Sequence, residues 1–381
     1  MSEWKTVRLG DYITEYSVKN KSNEDIPVYS VTNTQGFCTE YFSKDVSSKD
    51  KSNYKIVPRG CFAYNPSRIN VGSVDWQRYE DRVIVSPLYN VFKVSPELEN
   101  QYLYYFLKSD IGHTLITSKA EGSVRDNLKI TMLAEFSIPL PPLETQKLIA
   151  AQLDKCTALI AKHKQMLEKY DTLIKSRFIE MFGEPATNPK KWEIKTLDEV
   201  CKKITDGKHG GCKLEDNSDY YYVGAREIFD LNIHYETAQE ITKEDFEKDY
   251  KRCNLEIGDF CIVNTGATIG KTAIAKDVRT TKTLLQKSVA LLKTKENLLS
   301  ALYLQYSYIT NPSMYKVENA SAQPNLLLSK IRETKIMLPP LFLQNNFATF
   351  VQQIDKSKFA VQKSLEKAET LYKSLMQEYF A

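Results

Sequence analysis

The feature that most constrains this chain is a repeat of long period. Ile138-Pro139-Leu140-Pro141-Pro142-Leu143 recurs as Ile336-Met337-Leu338-Pro339-Pro340-Leu341, 198 positions later. The spacing then holds without a gap, so that residues 123–182 and 321–380 are identical at 20 of 60 positions. Asn127-Leu128 returns as Asn325-Leu326, Gln146 as Gln344, and Leu167-Glu168-Lys169 as Leu365-Glu366-Lys367. A fainter echo, Trp4-Lys5-Thr6-Val7-Arg8-Leu9 against Trp192-Glu193-Ile194-Lys195-Thr196-Leu197, stands 188 apart. The 381 residues are too many for one ordinary core and divide into two halves. The halves share a start and an ending, with a variable middle between them.

Each ending reads as one long helix. The proline pairs punctuate the starts, since proline is tolerated only in a helix's first turn. Neither Gly nor Pro follows until Gly183 in the first copy, or at all in the second. Ile149, Leu153, Cys156, Ile160, His163, Leu167, Tyr170 and Ile174 fall at alternating steps of four and three. Their counterparts are Phe347, Val351, Ile354, Lys358, Val361, Leu365, Ala368 and Tyr372. That alternation is a coiled-coil seam, because about 3.5 residues per turn keeps the stripe on one partner. The two helices are expected to form an antiparallel coiled coil, with Lys358 and His163 as polar seam positions that set register.

The variable segments read as two α+β globules. Short β-rich runs such as Val28-Tyr29-Ser30-Val31, Arg82-Val83-Ile84-Val85 and Asp259-Phe260-Cys261-Ile262-Val263 alternate with turn clusters. A helix is expected before each end, at 100–107 and 298–308. The resulting division is a globule at 1–140, a helix at 141–183, a linker at 184–191, a globule at 192–338 and a helix at 339–381.

Composition narrows the class. At 42% hydrophobic and 26% charged, the chain is globular rather than disordered. Its start lacks the apolar stretch of a secretory signal, and no run reaches the eighteen or so apolar residues of a membrane span. Seven cysteines without a C-x-x-C pair fit neither a disulfide framework nor a zinc ribbon, which suggests the reducing cytoplasm. The net charge of +4 hides a balance: residues 1–140 hold 17 basic and 17 acidic residues, and 192–338 hold 21 of each. Any basic footprint for nucleic acid must come from segregation onto one face.

The motifs that could carry chemistry fall short. Asn65-Pro66-Ser67-Arg68 lacks the second proline and the aromatic of an amino-methyltransferase motif. Gly266-Ala267-Thr268-Ile269-Gly270-Lys271-Thr272 has three residues, not four, between its first glycine and Gly-Lys-Thr, so a phosphate cradle would be misbuilt; a turn between strands is the better reading. The four histidines and the cysteines Cys201, Cys212, Cys253 and Cys261 lack metal-ligand spacing, and buried apolar roles suit the cysteines. No catalytic or metal site is expected, and a duplicated chain without one points to binding. Two like modules on paired helices make a ruler for a target with two half-sites, of which duplex DNA is the commonest.

The order variable module, Pro-Pro-Leu-x-x-Gln helix, linker, variable module, Pro-Pro-Leu-x-x-Gln helix resembles the DNA specificity subunit of Type I restriction–modification systems, over essentially the whole chain. Segments similar to ones recurrent in that family's target-recognition domains are 64–73, 204–209, 223–228, 266–271 and the linker 182–189. The resemblance implies a non-catalytic subunit that reads a bipartite, asymmetric site. It implies two methyltransferase subunits as partners, docked on the helices, and two motor-nuclease subunits in the full complex. S-adenosylmethionine, ATP and Mg2+ would then belong to those partners and not to this chain. Alternatives are the recognition subunit of a Type IIB-like system, or a helical scaffold that never meets DNA.

Bases are read by side chains that can make paired hydrogen bonds, and phosphates by Lys, Ser and Thr. Loop candidates for DNA contact are Asn33, Gln35, Asn65, Arg68 and Arg125 in the first module. In the second they are Lys208, His209, Arg226, Thr268, Lys271 and Gln323.

Overall fold

The structure is a computed structural model that describes residues 4–39, 50–120, 127–316 and 324–380. The chain divides into two compact units, Met1–Gln165 with Gln362–Ala381, and Met166–Val361. This division cuts across the tandem one read from the sequence. Each unit takes in part of both long helices, because the core of each variable module is completed by the two together.

The main sheets of the two units share one topology. In the first, a four-stranded antiparallel sheet runs in the order Ile13–Glu15, Asn90–Val94, Phe62–Tyr64, Val74–Trp76. In the second the order is Cys201–Asp206, Val289–Thr294, Phe260–Val263, Thr272–Ile274. The central strands Phe62–Tyr64 and Phe260–Val263 are apolar at every position because both faces of each sheet are covered. Phe62, Tyr64 and Phe92 pack on the helical side, while Ala63 and Val91 face a second cluster with Val57, Val83 and Val85. In the second unit Phe260, Ile262 and Leu292 face one core and Cys261, Val263 and Leu291 the other. Cys201, Cys253 and Cys261 are buried among these apolar side chains, as expected for small hydrophobes, and burial pushes each thiol above its usual range.

A short strand pair closes each unit and explains the faint 188-residue echo. Thr6–Arg8 pairs with Ser137–Pro139, and Glu193–Thr196 pairs with Lys335–Leu338. The helices expected before each globule's end occupy Asn100–Lys108 and Ala301–Thr310. Among the described residues, two helices of more than two turns were not foreseen, Asp110–Ala120 and Lys243–Cys253; the latter starts on a Thr242 side-chain cap and stops at Asn254 in the left-handed region.

The long helices span Leu143–Phe182 and Leu341–Phe380, 40 residues each, or roughly 60 Å. Every seam position named above is buried or half-buried: Ile149, Leu153, Ile160, Leu167 and Ile174, and Phe347, Val351, Ile354, Val361, Leu365 and Tyr372. At the seam Lys358 pairs with Asp171 at 2.5 Å, whereas buried His163 Nδ1 has no partner among the described residues. In the first unit, Ile149 and Leu153 share a core with Met376 and Phe380. In the second, Ile174, Phe178 and Phe182 share one with Phe347 and Val351. Within each unit, then, the start of one long helix meets the end of the other.

The segment after the first long helix is a built turn and not a loose linker. Gly183 sits at φ +82, and a Cβ there would lie 2.6 Å from the Pro189 ring. Lys190 Nζ donates to the carbonyls of Glu180 and Met181 at 2.7 and 2.9 Å, satisfying groups that the helix end leaves open. Trp192 Nε1 donates to the Phe182 carbonyl at 2.9 Å.

Candidate nucleic-acid interface

Both units carry the same hairpin loop at the same edge of the four-stranded sheet, built by hydrogen bonds that repeat at the 198-residue spacing. The Asn65 N–H donates to the Ser73 carbonyl at 3.2 Å, and the Val263 N–H to the Lys271 carbonyl at 2.8 Å. The Leu128 N–H donates to the Pro66 carbonyl at 3.1 Å, and the Leu326 N–H to the Asn264 carbonyl at 2.7 Å. Ser67 Oγ lies 2.6 Å from Asn127 Oδ1, and Thr265 Oγ1 lies 3.2 Å from Asn325 Oδ1. This is why Asn127-Leu128 and Asn325-Leu326 are shared: each pair straps the loop from behind. The phosphate-loop lookalike at 266–272 is accordingly a hairpin turn entering strand Thr272–Ile274, as expected.

The loops differ in what they present. In the first, Asn65 is a turn-former, its Oδ1 accepting the Ser67 N–H at 3.1 Å, so its carbonyl oxygen is committed to the backbone. Arg68 is exposed at the loop's shoulder. In the second, Thr268 is half-buried and Lys271 exposed, with no ion pair to Lys271 among the described residues. Asn264 Oδ1 is buried there without a partner among the described residues.

Asn33 and Gln35 lie exposed on the turn of a neighbouring hairpin, Ser30–Thr32 with Gly36–Cys38. The turn is closed by Thr32 Oγ1, which accepts the Gln35 N–H at 3.0 Å, leaving the Gln35 amide group outward. Arg125 and Gln323 lie outside the described residues.

In the second unit, two of the recognised segments meet at Leu285-Gln286-Lys287-Ser288. The Lys208 N–H donates to the Leu285 carbonyl at 2.7 Å, the Gln286 N–H to the Val223 carbonyl at 2.8 Å, and the Ala225 N–H to Ser288 Oγ at 3.2 Å. Gly207 is required by this crossing, since a Cβ would stand 2.1 Å from the Leu285 carbonyl oxygen. Lys208 has a largely buried ammonium that pairs with Asp249 at 2.6 Å, which holds the loop onto helix Lys243–Cys253. His209 is exposed, 3.0 Å from Asp206. Arg226 extends into solvent with its Nε 3.2 Å from the buried Glu227. Gln286 and exposed Lys287 belong to the same platform and were not singled out in the sequence, because nothing local distinguishes them; strand pairing brings them there.

The sequence reading also passed over Arg78, Trp76, Tyr104 and Lys108 of the first unit. They line one groove with Asn33, and no motif spacing links them.

Comparison with known proteins places this arrangement. Over 98% of this chain and 91% of its own length, the Type I restriction enzyme MjaVIII specificity subunit of Methanocaldococcus jannaschii is 24% identical. The Type I restriction enzyme EcoKI specificity subunit of Escherichia coli K12 is 24% identical over 74% of this chain and 64% of its own. Among solved structures, the S subunit of a Type I restriction–modification system from M. genitalium shares the fold at a TM-score of 0.60 and 15% identity, covering 100% of this chain and 96% of that one. A chain from a structure of Type I restriction–modification complex assembly gives a TM-score of 0.56 at 18% identity, covering 100% and 98%. The model of the Type I restriction modification DNA specificity domain matches twice, at residues 1–169 and 189–369. The two matches take in both hairpin loops and most of both long helices, and the chain belongs to this family of Type I restriction–modification DNA specificity proteins.

Proposed function

We propose that the chain is the non-catalytic, sequence-reading subunit of a Type I restriction–modification enzyme, each unit reading one half of a bipartite, asymmetric DNA site. The observation that carries this reading is the paired loop. One scaffold, strapped by Asn127-Leu128 and by Asn325-Leu326, presents Arg68 in one unit and Thr268 with Lys271 in the other. A shared frame with divergent outward chemistry suits two different half-sites.

The two long helices act as an antiparallel coiled coil that spaces the half-sites and docks two methyltransferase subunits; motor-nuclease subunits would join in the full complex. In support, each unit pairs the start of one helix with the end of the other, and Lys164–Glu369 and Lys358–Asp171 pair across them at 3.0 and 2.5 Å. S-adenosylmethionine, ATP and Mg2+ are assigned to the partners, and the compartment to the cytoplasm, where those partners and the DNA are.

The test is methylome sequencing of cells carrying this gene with its methyltransferase, against cells carrying the methyltransferase alone. Methylation of one split motif, present only with this chain, is expected. A continuous motif, or the same motif without this chain, overturns the reading. Four residues inserted near Ala158, roughly 6 Å of helix, should lengthen the spacer by one to two base pairs at roughly 3.4 Å per step, with both half-sites unchanged.

A further inference from the structure

We infer that Arg78 is a specificity-determining residue of the first unit, its guanidinium reading the O6 and N7 edge of a guanine while buried Asp75 fixes it in place. The inference rests on the DNA-reading role proposed above and adds a named base and a named reader.

Arg78 follows strand Val74–Trp76, with a third of its side chain exposed. Its guanidinium carbon lies 4.9 Å from the ring centre of Trp76, 5.5 Å from that of Tyr79 and 6.0 Å from that of Tyr104. Three rings around a planar cation restrict its motion, so little rotamer freedom is left to lose on binding. Behind it, Asp75 is fully buried and is itself held by the N–H groups of Phe37 at 3.0 Å and Trp76 at 2.8 Å. Arg78 Nη1 lies 3.2 Å from Oδ1 and Nη2 lies 3.5 Å from Oδ2.

That contact anchors the guanidinium by its inner end: Nη1 is buried against Asp75 and Nη2 donates to Oδ2, which leaves the Nε–H and the second Nη2–H for a partner. Arg279 of the second unit shows the contrast: its Nε and Nη2 both donate to Asp277, at 2.9 and 2.7 Å. An arginine held from behind at Nη1 keeps its Nε–Nη2 edge, a pair of donors that matches the two acceptors of guanine's major-groove edge, the commonest specific contact in duplex reading.

The surroundings agree. Arg78, Trp76, Tyr104 and Lys108 line a groove of about 840 Å3 with Asn33, and Glu99 and Asp154 line it too. The Lys108 ammonium donates to the Gly72 carbonyl and lies 5.5 Å from the Tyr104 ring centre, adding positive charge at that wall. Asp75 also shapes the hairpin that carries Asn33 and Gln35. Gly36, at φ +64, packs so closely that a Cβ would stand 2.0 Å from Asp75 Oδ2. One carboxylate thereby fixes both the arginine and the neighbouring amides. The second unit lacks this device, since the positions 198 residues on from Asp75 and Arg78 are Ala273 and Lys276.

The experiment uses the full chain co-expressed with its methyltransferase. Once the wild-type site is known from its methylome, duplexes carrying each base pair in turn at every half-site position are scored for binding. Arg78→Lys keeps the stem among the rings and a cation beside Asp75 but removes the fork, and Arg78→Ala removes both. Expected for each is a roughly 5- to 150-fold loss of discrimination at one G·C pair of one half-site, with the other half-site unchanged. The proposal is overturned if Arg78→Lys retains discrimination, or if it weakens all duplexes equally, as a phosphate contact would. A wild-type complex without base preference would instead refute the DNA-reading role itself, so the two failures are separable. Circular dichroism melting of both variants shows whether Arg78→Ala folds; should it not, Arg78→Lys decides alone.

Discussion

The side-chain carbonyl of Gln146 accepts the backbone N–H of Glu99 at 2.8 Å, across 47 residues of sequence. Gln146 Nε2 donates to the carbonyls of Glu97 at 3.1 Å and Pro141 at 2.9 Å. Gln344 repeats the arrangement with the Ser300 N–H at 2.9 Å, Leu298 at 2.9 Å and Pro339 at 2.8 Å. Both glutamines are fully buried. This is the meaning of the Pro-Pro-Leu-x-x-Gln pattern: one amide, one turn into each long helix, ties it to the turn that starts the module's own helix. Gln146→Leu and Gln344→Leu should each lower stability by about 2–4 kcal/mol, because three backbone groups lose their partners in a buried place. Urea unfolding checks this. A loss below about 1 kcal/mol in both would mean that water replaces the amide.

Phe380 is buried with its ring 5.2 Å from Tyr102 and 6.0 Å from Phe106, centre to centre. Phe182 is buried 4.8 Å from Tyr303 and 5.7 Å from Phe347. Phe380→Ala should destabilise the first unit and Phe182→Ala the second, each by about 3–5 kcal/mol. Limited proteolysis with mass spectrometry should show early cuts within 50–120 for the former and within 197–316 for the latter. Identical cleavage patterns would contradict the division into these two units.

Lys293 joins Asp259 at 2.6 Å and Glu256 at 2.8 Å, and the Lys293 and Asp259 side chains are nearly buried. Lys293→Met leaves Asp259 buried without its cation and should cost about 3–5 kcal/mol at neutral pH. Burial already holds the Asp259 carboxyl above its ordinary 3.8, against the opposing pull of Lys293. Removing that pull raises it further, so acid neutralises the stranded carboxylate and the variant's deficit should shrink as pH falls through this raised value. Stability curves of both proteins between pH 7 and pH 4 test the sign. A deficit that grows on acidification would refute it.

Arg68→Ala and Lys271→Ala should weaken DNA binding by the complex. If each removes one phosphate contact, the slope of log affinity against log salt falls by about one per substitution, equally for all sequences. An unchanged slope in both would remove these loops from the interface.

The long helices were legible because a 4-3 stripe over 26 residues, Ile149 to Ile174, has few alternatives. Strand Phe260–Val263 was legible because it is apolar at every position. The two loops at 65–73 and 264–271 were visible as turns, though only strand pairing shows that Asn127 and Asn325 strap them. The ion pair of Lys208 was not legible because its partner Asp249 sits on the unforeseen helix Lys243–Cys253, whose sparse apolar residues give little periodic signal. Arg78 was missed for a similar reason. Its partners Trp76 and Asp75 are adjacent in sequence, but what makes it more than a surface cation is Tyr104 beside it and the Phe37 N–H fixing Asp75 from behind.

The meeting of Phe380 with Tyr102 sets an order of events during synthesis. The first module's own strands leave the ribosome early, but the ring that fills their core, Phe380, lies 198 residues beyond the end of the first long helix. At about 5–20 residues per second, some 200 further residues take on the order of 10–40 s. For that interval the pocket around Tyr102 and Phe106 stands open, while the second module, whose helical ring Phe182 is made before its strands, can close as soon as Phe347 emerges. The nascent chain therefore finishes its second domain first, and its first half is the part that needs shelter from aggregation while it waits.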